Sequence, residues 1–272
     1  MTHTSEKLHV IFGTGPVGLA TMEALLADGA DVRMVNRSGV AELPDGVELV
    51  VGDASDPAFA RQASEGAGVI YQALNAPYTK WPEMFPPLQQ AILSAASTTG
   101  ARLVSMENVY MYGSPGGQPI HEGLPYAAET RKGQVRARMA EELLEAHETG
   151  VAQVTIGRAA DFFGPRVLRS AMGERVFPPI LEGKTVQVLG DPEMLHTYPY
   201  LPDIGRALAI LRDRDEALGQ LWHSPSAATL TTEAFMEPIA DRADVELDPQ
   251  VVSPRVRRLA SRIHGDLREK KE

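Results

Sequence analysis

The chain contains no cysteine. Disulfides, thiolate metal sites and cysteine nucleophiles are thereby excluded. It also lacks any apolar run near the ~18–20 residues of a membrane span. Its opening, MTHTSEKLHVIFG, carries no apolar leader segment. Basic residues are in deficit, with 26 Lys+Arg against 36 Asp+Glu, a formal charge of −10 and a pI near 5.2. That balance disfavours general nucleic-acid binding, which needs a clustered basic surface. The seven histidines include no H-x-x-x-H pair and no cluster with carboxylates, so no metal site is expected. No G-x-S-x-G elbow is present, which disfavours a serine hydrolase of that type. What remains is 272 residues of ordinary globular composition, 43 % hydrophobic and 23 % charged. That length suits one large domain, or one domain with a smaller lobe. A cytoplasmic protein with neither nucleic acid nor membrane as partner is the expectation.

Apolar runs and helical stripes alternate along the first 160 residues. Strands are expected at Leu8–Phe12, Val32–Val35, Val47–Val51, Val69–Leu74, Leu103–Met106 and Val151–Ile156. Helices are expected from Gly18 to the stop at Asp28-Gly29, over Pro86–Thr98, and over Gln134–His147. The pair Pro86-Pro87 is read as marking a first turn, where a missing N–H is tolerated. This alternation predicts a doubly wound parallel α/β sheet of the Rossmann kind over residues 1–160. Residues 161–272 read as a small C-terminal substrate lobe interleaved with late core elements, with helices at Ile204–Arg212 and Thr232–Ala240. The segment 255–272 carries seven Lys/Arg against three Asp/Glu, with a stripe of Val256, Leu259, Ile263 and Leu267. It reads as a terminal amphipathic helix packed on its own domain.

Gly13-Thr14-Gly15-Pro16-Val17-Gly18 fits G-x-G-x-x-G between the first strand and the first helix. The first glycine makes a tight turn, the second admits a pyrophosphate, and the third lets helix pack on strand. The helix N-terminus offers unpaired N–H groups to the phosphates. The competing reading is a structural turn that binds nothing. At the end of the second strand a carboxylate would hold a ribose diol. This chain has Asn36-Arg37-Ser38 instead. Asn36 does not repel a 2′-phosphate, and Arg37 can pair with one, so NADP(H) is expected with NAD(H) as the alternative. Arg37 as a plain solvated loop arginine is the competing reading. Asp53 is placed at the adenine edge, and Asn75-Ala76 beside the ribose and nicotinamide.

Together these residues resemble the short-chain dehydrogenase/reductase superfamily in its extended or atypical branch, the NAD-dependent epimerase/dehydratase-like proteins. The resemblance covers about residues 8–240. It rests on the glycine turn, Gly52-Asp53, Val109-Tyr110-Met111-Tyr112-Gly113, Arg158…Phe163-Gly164-Pro165 and Tyr200-Leu201-Pro202-Asp203-Ile204. Three departures stand out. Phe12 occupies the first glycine position of the family's T-G-x-x-G-x-x-G. Asn108 stands where the family has its catalytic Ser. Lys132 and Arg136 stand where it has the Tyr and Lys of Y-x-x-x-K.

The resemblance implies proton exchange with a substrate oxygen at the Tyr position, with Lys holding the nicotinamide ribose. Here Asn108 would orient the substrate through its amide, and Arg136 would fix the ribose. Lys132 or Tyr110 would move the proton. Lys132 pointing to solvent is weighed equally with a catalytic role. Tyr112 reads as a core aromatic with a bonded hydroxyl. Tyr78, Lys80 and Trp81 line a pocket mouth or form a surface turn with a tucked indole. Three functional expectations follow. The first is an NADP(H)-dependent reductase-like enzyme acting on a small carbonyl, imine or activated double bond. The second is a nucleotide-sugar-type epimerase or dehydratase. The third is a non-catalytic NADP-binding redox sensor. A homodimer is plausible only by analogy with relatives.

Overall fold

The computed structural model describes residues 7–252 except Leu189. The predicted basic helix at 255–272 lies outside the described residues. In chain order the elements are β1 (Leu8–Phe12), α1 (Pro16–Ala27), β2 (Val32–Asn36), β3 (Glu48–Val51), α2 (Pro57–Ala63), β4 (Ala67–Gln72), α3 (Trp81–Thr99), β5 (Arg102–Glu107), α4 (Arg131–Glu148) and β6 (Val154–Arg158). They continue with α5 (Phe177–Leu181), β7 (Val186–Val188), β8 (Leu195–His196), α6 (Leu201–Leu211), β9 (Leu221–His223), β10 (Leu230–Thr231), α7 (Thr232–Ala243) and β11 (Pro249–Val251).

Seven strands form one sheet in the order β3-β2-β1-β4-β5-β6-β9. Every pairing in it is parallel. The chain winds from β1 outward to β3, then returns to β4 on β1's other side. That reversal opens a crevice at the carboxyl ends of β1 and β4, where ligands bind in this architecture. The central strands are buried on both faces, which is why Val10-Ile11-Phe12 and Val69-Ile70-Tyr71 are continuous apolar runs. Val10, Phe12, Ile70, Leu103 and Ile156 meet Ile92 of α3 and Leu143 of α4 in the main core.

Two compact units are distinguished. One comprises the chain up to Ala159 together with Ile204–Ser224; the other comprises Ala160–Asp203 and the chain from Pro225 onward. The second unit has its own core of Met172, Val176, Ile180, Val186, Tyr198 and Met236. Within it β11 pairs with β7 and β10 with β8.

Several boundaries differ from expectation. Helix α3 begins at Trp81, five residues before Pro86, so Pro86-Pro87 lies in its second turn and not its first. The first turn is held by tertiary packing: Trp81 and Phe85 are buried with Val135 and Met139. Strand β6 runs over Val154–Arg158, because the turn at Gly150 occupies residues where Val151 had suggested a strand. Helix α2 and strand β9 were not expected. Both are too short to show a period, although Asp56-Pro57 is a helix-start signal and the Asp56 carboxylate accepts from the Ala58 N–H. Asp203 lies in the first turn of α6, as expected for its helix N-terminal reading.

At the opposite end of the sheet from the crevice, the His9 ring lies 3.2 Å from the Tyr71 hydroxyl, and both are buried. Burial, reinforced by the Arg212 charge, pushes the His9 imidazole from 6.5 down to about 4. Above pH 6.5 the ring is neutral in folded and unfolded chains alike. Between pH 6.5 and 4 the unfolded chain binds a proton that the folded chain refuses, so stability falls with pH in that window. After allowance for screening, the loss is expected to be about 2 kcal/mol. Urea unfolding at the two ends of that window should show the loss in the native protein and not in His9→Gln. Equal losses in both would assign the acid sensitivity to other groups.

Candidate active site

All the predicted site residues lie in the first unit. The glycine turn joins β1 to α1. Gly13 has φ +116°, and a Cβ there would stand 2.6 Å from the Ala73 carbonyl oxygen. A Cβ on Gly18 would stand 1.9 Å from the Gly13 carbonyl oxygen. These two glycines are required by the turn itself. Gly15 differs, because a Cβ there would meet nothing within 4 Å. It is the N-cap of α1, no side chain caps that end, and Pro16 supplies no N–H. Val17 forms the first turn of α1 with its carbonyl accepting from the Thr21 hydroxyl. An uncapped helix N-terminus behind an exposed glycine fits the diphosphate of a dinucleotide.

The Asn36 amide is engaged within the protein. Its Nδ2 donates to Thr14 Oγ1 and to the Val40 carbonyl, both at 2.9 Å, and its Oδ1 accepts from the Gly39 N–H. It clasps the loop after β2 to the glycine turn. Arg37 and Ser38 are exposed in that loop, as are Gly39 and Val40. Asp53 accepts from the Ser55 N–H and hydroxyl. Those bonds hold its carboxyl below the ordinary carboxylate range, with the Arg37 charge adding to them. Arg37 and Asp53 thus share one edge of the crevice. Asn75 is exposed after β4, whereas Ala76 is buried and its carbonyl accepts from the Trp81 indole.

The other end of the crevice follows β5. Asn108 Oδ1 accepts from the Tyr110 N–H at 3.1 Å, so the amide nitrogen is the end turned to other partners. Tyr110 is 38 % exposed. Its ring lies 5.4 Å from that of Trp81, which also contacts Tyr78 and Phe85. Of the two readings of this segment, the structure fits the turn with a tucked indole: Trp81 is buried in an aromatic cluster. Thr130 caps α4 by accepting from the Gly133 N–H. Gly133 itself is packed so close that a Cβ would stand 2.7 Å from the Tyr110 carbonyl oxygen. This contact brings the first turn of α4 against the loop after β5.

Lys132 and Arg136 are one helical turn apart on α4 and each is only 3 % exposed. The solvent reading of Lys132 is therefore wrong. Its ammonium lies 4.2 Å from the centre of the Tyr78 ring. A helix face otherwise lined by Val135 and Met139 carries both cations inward.

Glu107 was not anticipated. It ends β5 directly before Asn108, pairs in register with Arg158 at the end of β6, and is 2 % exposed. Arg158 donates through Nε to Glu107 Oε2 at 3.2 Å, through one terminal nitrogen to the Tyr112 hydroxyl at 2.7 Å, and through the other to Tyr126. Tyr112 continues to His223 Nε2 at 2.8 Å. Its core reading holds, and burial pushes its hydroxyl up. Arg136 reaches the other Glu107 oxygen at only 3.8 Å. Burial pushes the Arg136 guanidinium down, Glu107 opposes this, and Arg158 adds to it. The signal available in the sequence was an acid and a base ending two adjacent buried strands.

Glu122 accepts from the His223 N–H, which ties the 114–125 loop to β9. In the second unit His196 lies 3.7 Å from Asp161 and stacks on Tyr198. Among the described residues no group of His, Asp and Glu is arranged to hold a metal, and no helix is long and apolar enough to cross a membrane.

Known proteins share this fold. In structure the chain is similar to the UDP-glucose 4-epimerase of Thermus thermophilus solved with NAD (TM-score 0.75, 19 % identity, 91 % of this chain and 87 % of that one). It is similar to a dTDP-glucose 4,6-dehydratase of Bacillus anthracis solved with NAD (0.78, 15 %, 90 % and 84 %). It is also similar to a UDP-N-acetylglucosamine 4-epimerase of Methanobrevibacter ruminantium solved with UDP-N-acetylmuramic acid (0.77, 18 %, 92 % and 87 %). At these identities the likeness is one of fold. A comparison with curated proteins finds no match. The model of one family, described as the NAD dependent epimerase/dehydratase family, matches residues 10–221. That span runs from the glycine turn through the Asn108 and Lys132 segments to β9, and it favours the epimerase or dehydratase expectation over the reductase. With most of its length matched, from the glycine turn to the last strand of the sheet, the chain belongs to the NAD-dependent epimerase/dehydratase family.

Proposed function

We propose that this protein is a nicotinamide-dinucleotide-dependent enzyme of the epimerase/dehydratase type, acting on a secondary alcohol of a nucleotide-linked sugar. The observation that carries this is the open cradle over Gly15 at the uncapped start of α1, within a family match that spans the catalytic segments. The bound dinucleotide supplies a hydride acceptor that can return what it takes. The Gly13–Gly18 turn would hold its diphosphate, Asp53 its adenine edge, and Asn75 its ribose side, while Ala76 is taken up by the Trp81 indole. Asn108 orients the sugar oxygen through its amide nitrogen. Lys132 exchanges a proton with that oxygen, with Tyr110 the other donor within reach of the same loop. Arg136 supplies N–H donors to oxygens at the reacting end.

A preference for NADP(H) over NAD(H) is part of the proposal and rests on Arg37. With Asn36 committed to its loop, Arg37 is the residue left to meet a 2′-phosphate. A reductase that uses NADPH once per turnover is the second reading, and the same arginine favours it. One experiment separates these. Purified protein is analysed for retained nicotinamide cofactor, titrated with NADPH and NADH, and incubated with UDP-glucose. Retained cofactor and interconversion of the sugar without net consumption of NADPH are expected. Arg37→Ala should lower the NADPH-to-NADH affinity ratio about tenfold or more. An unchanged ratio removes the NADP argument, and binding of neither dinucleotide removes the function.

A further inference from the structure

We infer that Arg136 reads the substrate, and that the group it takes is a carboxylate. This inference rests on the proposed sugar-nucleotide reading and narrows its substrate class to acids. The argument begins with charge. Arg136, Arg158 and Glu107 are all at most 3 % exposed. Within this trio two guanidiniums share one carboxylate, so the trio carries one surplus positive charge in a buried place, and a buried charge without its partner is costly.

The surplus belongs to Arg136. Arg158 is fully engaged by Glu107 Oε2, Tyr112 and Tyr126. Arg136 is not. Its nearest carboxylate oxygen is 3.8 Å away, beyond hydrogen-bonding range. Its other contacts are the Met139 sulfur at 4.0 Å and the Phe85 ring at 4.8 Å. Among the described residues Arg136 Nε and Glu107 Oε1 find no hydrogen-bonding partner. A guanidinium carries five donors in a planar fork. A ribose diol would supply acceptors but leave the surplus charge in place. A carboxylate supplies two acceptor oxygens in the matching plane and cancels the charge. The phosphates of a dinucleotide are served elsewhere, at the start of α1.

The test compares UDP-glucuronate with UDP-glucose, which differ in the oxidation state of one carbon, by calorimetric titration of the full-length protein loaded with its dinucleotide. UDP-glucuronate should bind about tenfold more tightly or better. Arg136→Met should erase the difference, and Arg136→Lys, which keeps the charge without the fork, should retain part of it. Arg136→Met leaves a one-to-one Glu107–Arg158 pair, so its ligand-free Tm should equal or exceed that of the native protein. Equal affinity for the two sugars, or a preference that survives Arg136→Met, overturns the inference. Binding of neither UDP-sugar would sink the sugar-nucleotide reading alone. The carboxylate inference is then decided by thermal unfolding with free glucuronate against glucose at equal ionic strength. A Tm rise with glucuronate that vanishes in Arg136→Met upholds it, and no rise overturns it.

Discussion

Glu107→Gln should lower the free energy of unfolding by about 3–5 kcal/mol, while Arg136→Met should leave it unchanged or raise it. The glutamine keeps the shape of the side chain and an acceptor for Arg158 Nε. It removes the single negative charge set between two buried guanidiniums. Arg136 and Arg158 would then face each other across a neutral amide. In Arg136→Met the surplus cation disappears and the remaining pair is balanced. The methionine also occupies apolar surroundings already lined by Phe85 and Met139. Urea unfolding of both variants at neutral pH checks this. A Glu107→Gln variant as stable as the native protein would show that the carboxylate does not carry the charge balance assigned to it.

The glycine turn should separate folding from binding. Gly18→Ala is expected to destabilise the protein by about 3 kcal/mol, because its Cβ would overlap the Gly13 carbonyl and both partners are backbone. Gly15→Val should change stability by no more than about 0.5 kcal/mol, since its side chain enters open space. In the proposed binding mode that same side chain occupies the place of the diphosphate, so dinucleotide affinity should fall about 100-fold or more, equivalent to about 2.7 kcal/mol. Thermal unfolding of both variants and a fluorescence titration of Gly15→Val with NADPH give all three numbers. Loss of stability in Gly15→Val, or full binding by it, would mean that the open cradle has another purpose.

Much of this protein is legible in its sequence. The parallel sheet shows in continuous apolar runs such as Val10-Ile11-Phe12, because strands covered on both faces need no polar alternation. The glycine turn shows because each glycine has its own steric duty at a set spacing. The buried placement of Lys132 and Arg136 is less visible. Their spacing puts them on one helix face, but nothing local says whether that face meets water or the core.

The sequence by itself determined the order of the longer strands and helices of the sheet, the glycine turn, and the presence of Asn108, Lys132 and Arg136 at the positions read against the family pattern. Those features are local: they depend on periodicity, on steric demands at single positions, and on residue identity at a matched motif. Tertiary structure alone decided that Asn36 clasps its own loop, that α3 starts at Trp81, and that Glu107 stands between two arginines. Each depends on neighbours far along the chain. Asn36 meets Thr14, Phe85 meets Arg136, and Glu107 meets Arg158 across adjacent strands. A charge in a strand reads as exposed until the strand beside it supplies the opposite charge, and that pairing exists only once the sheet has formed.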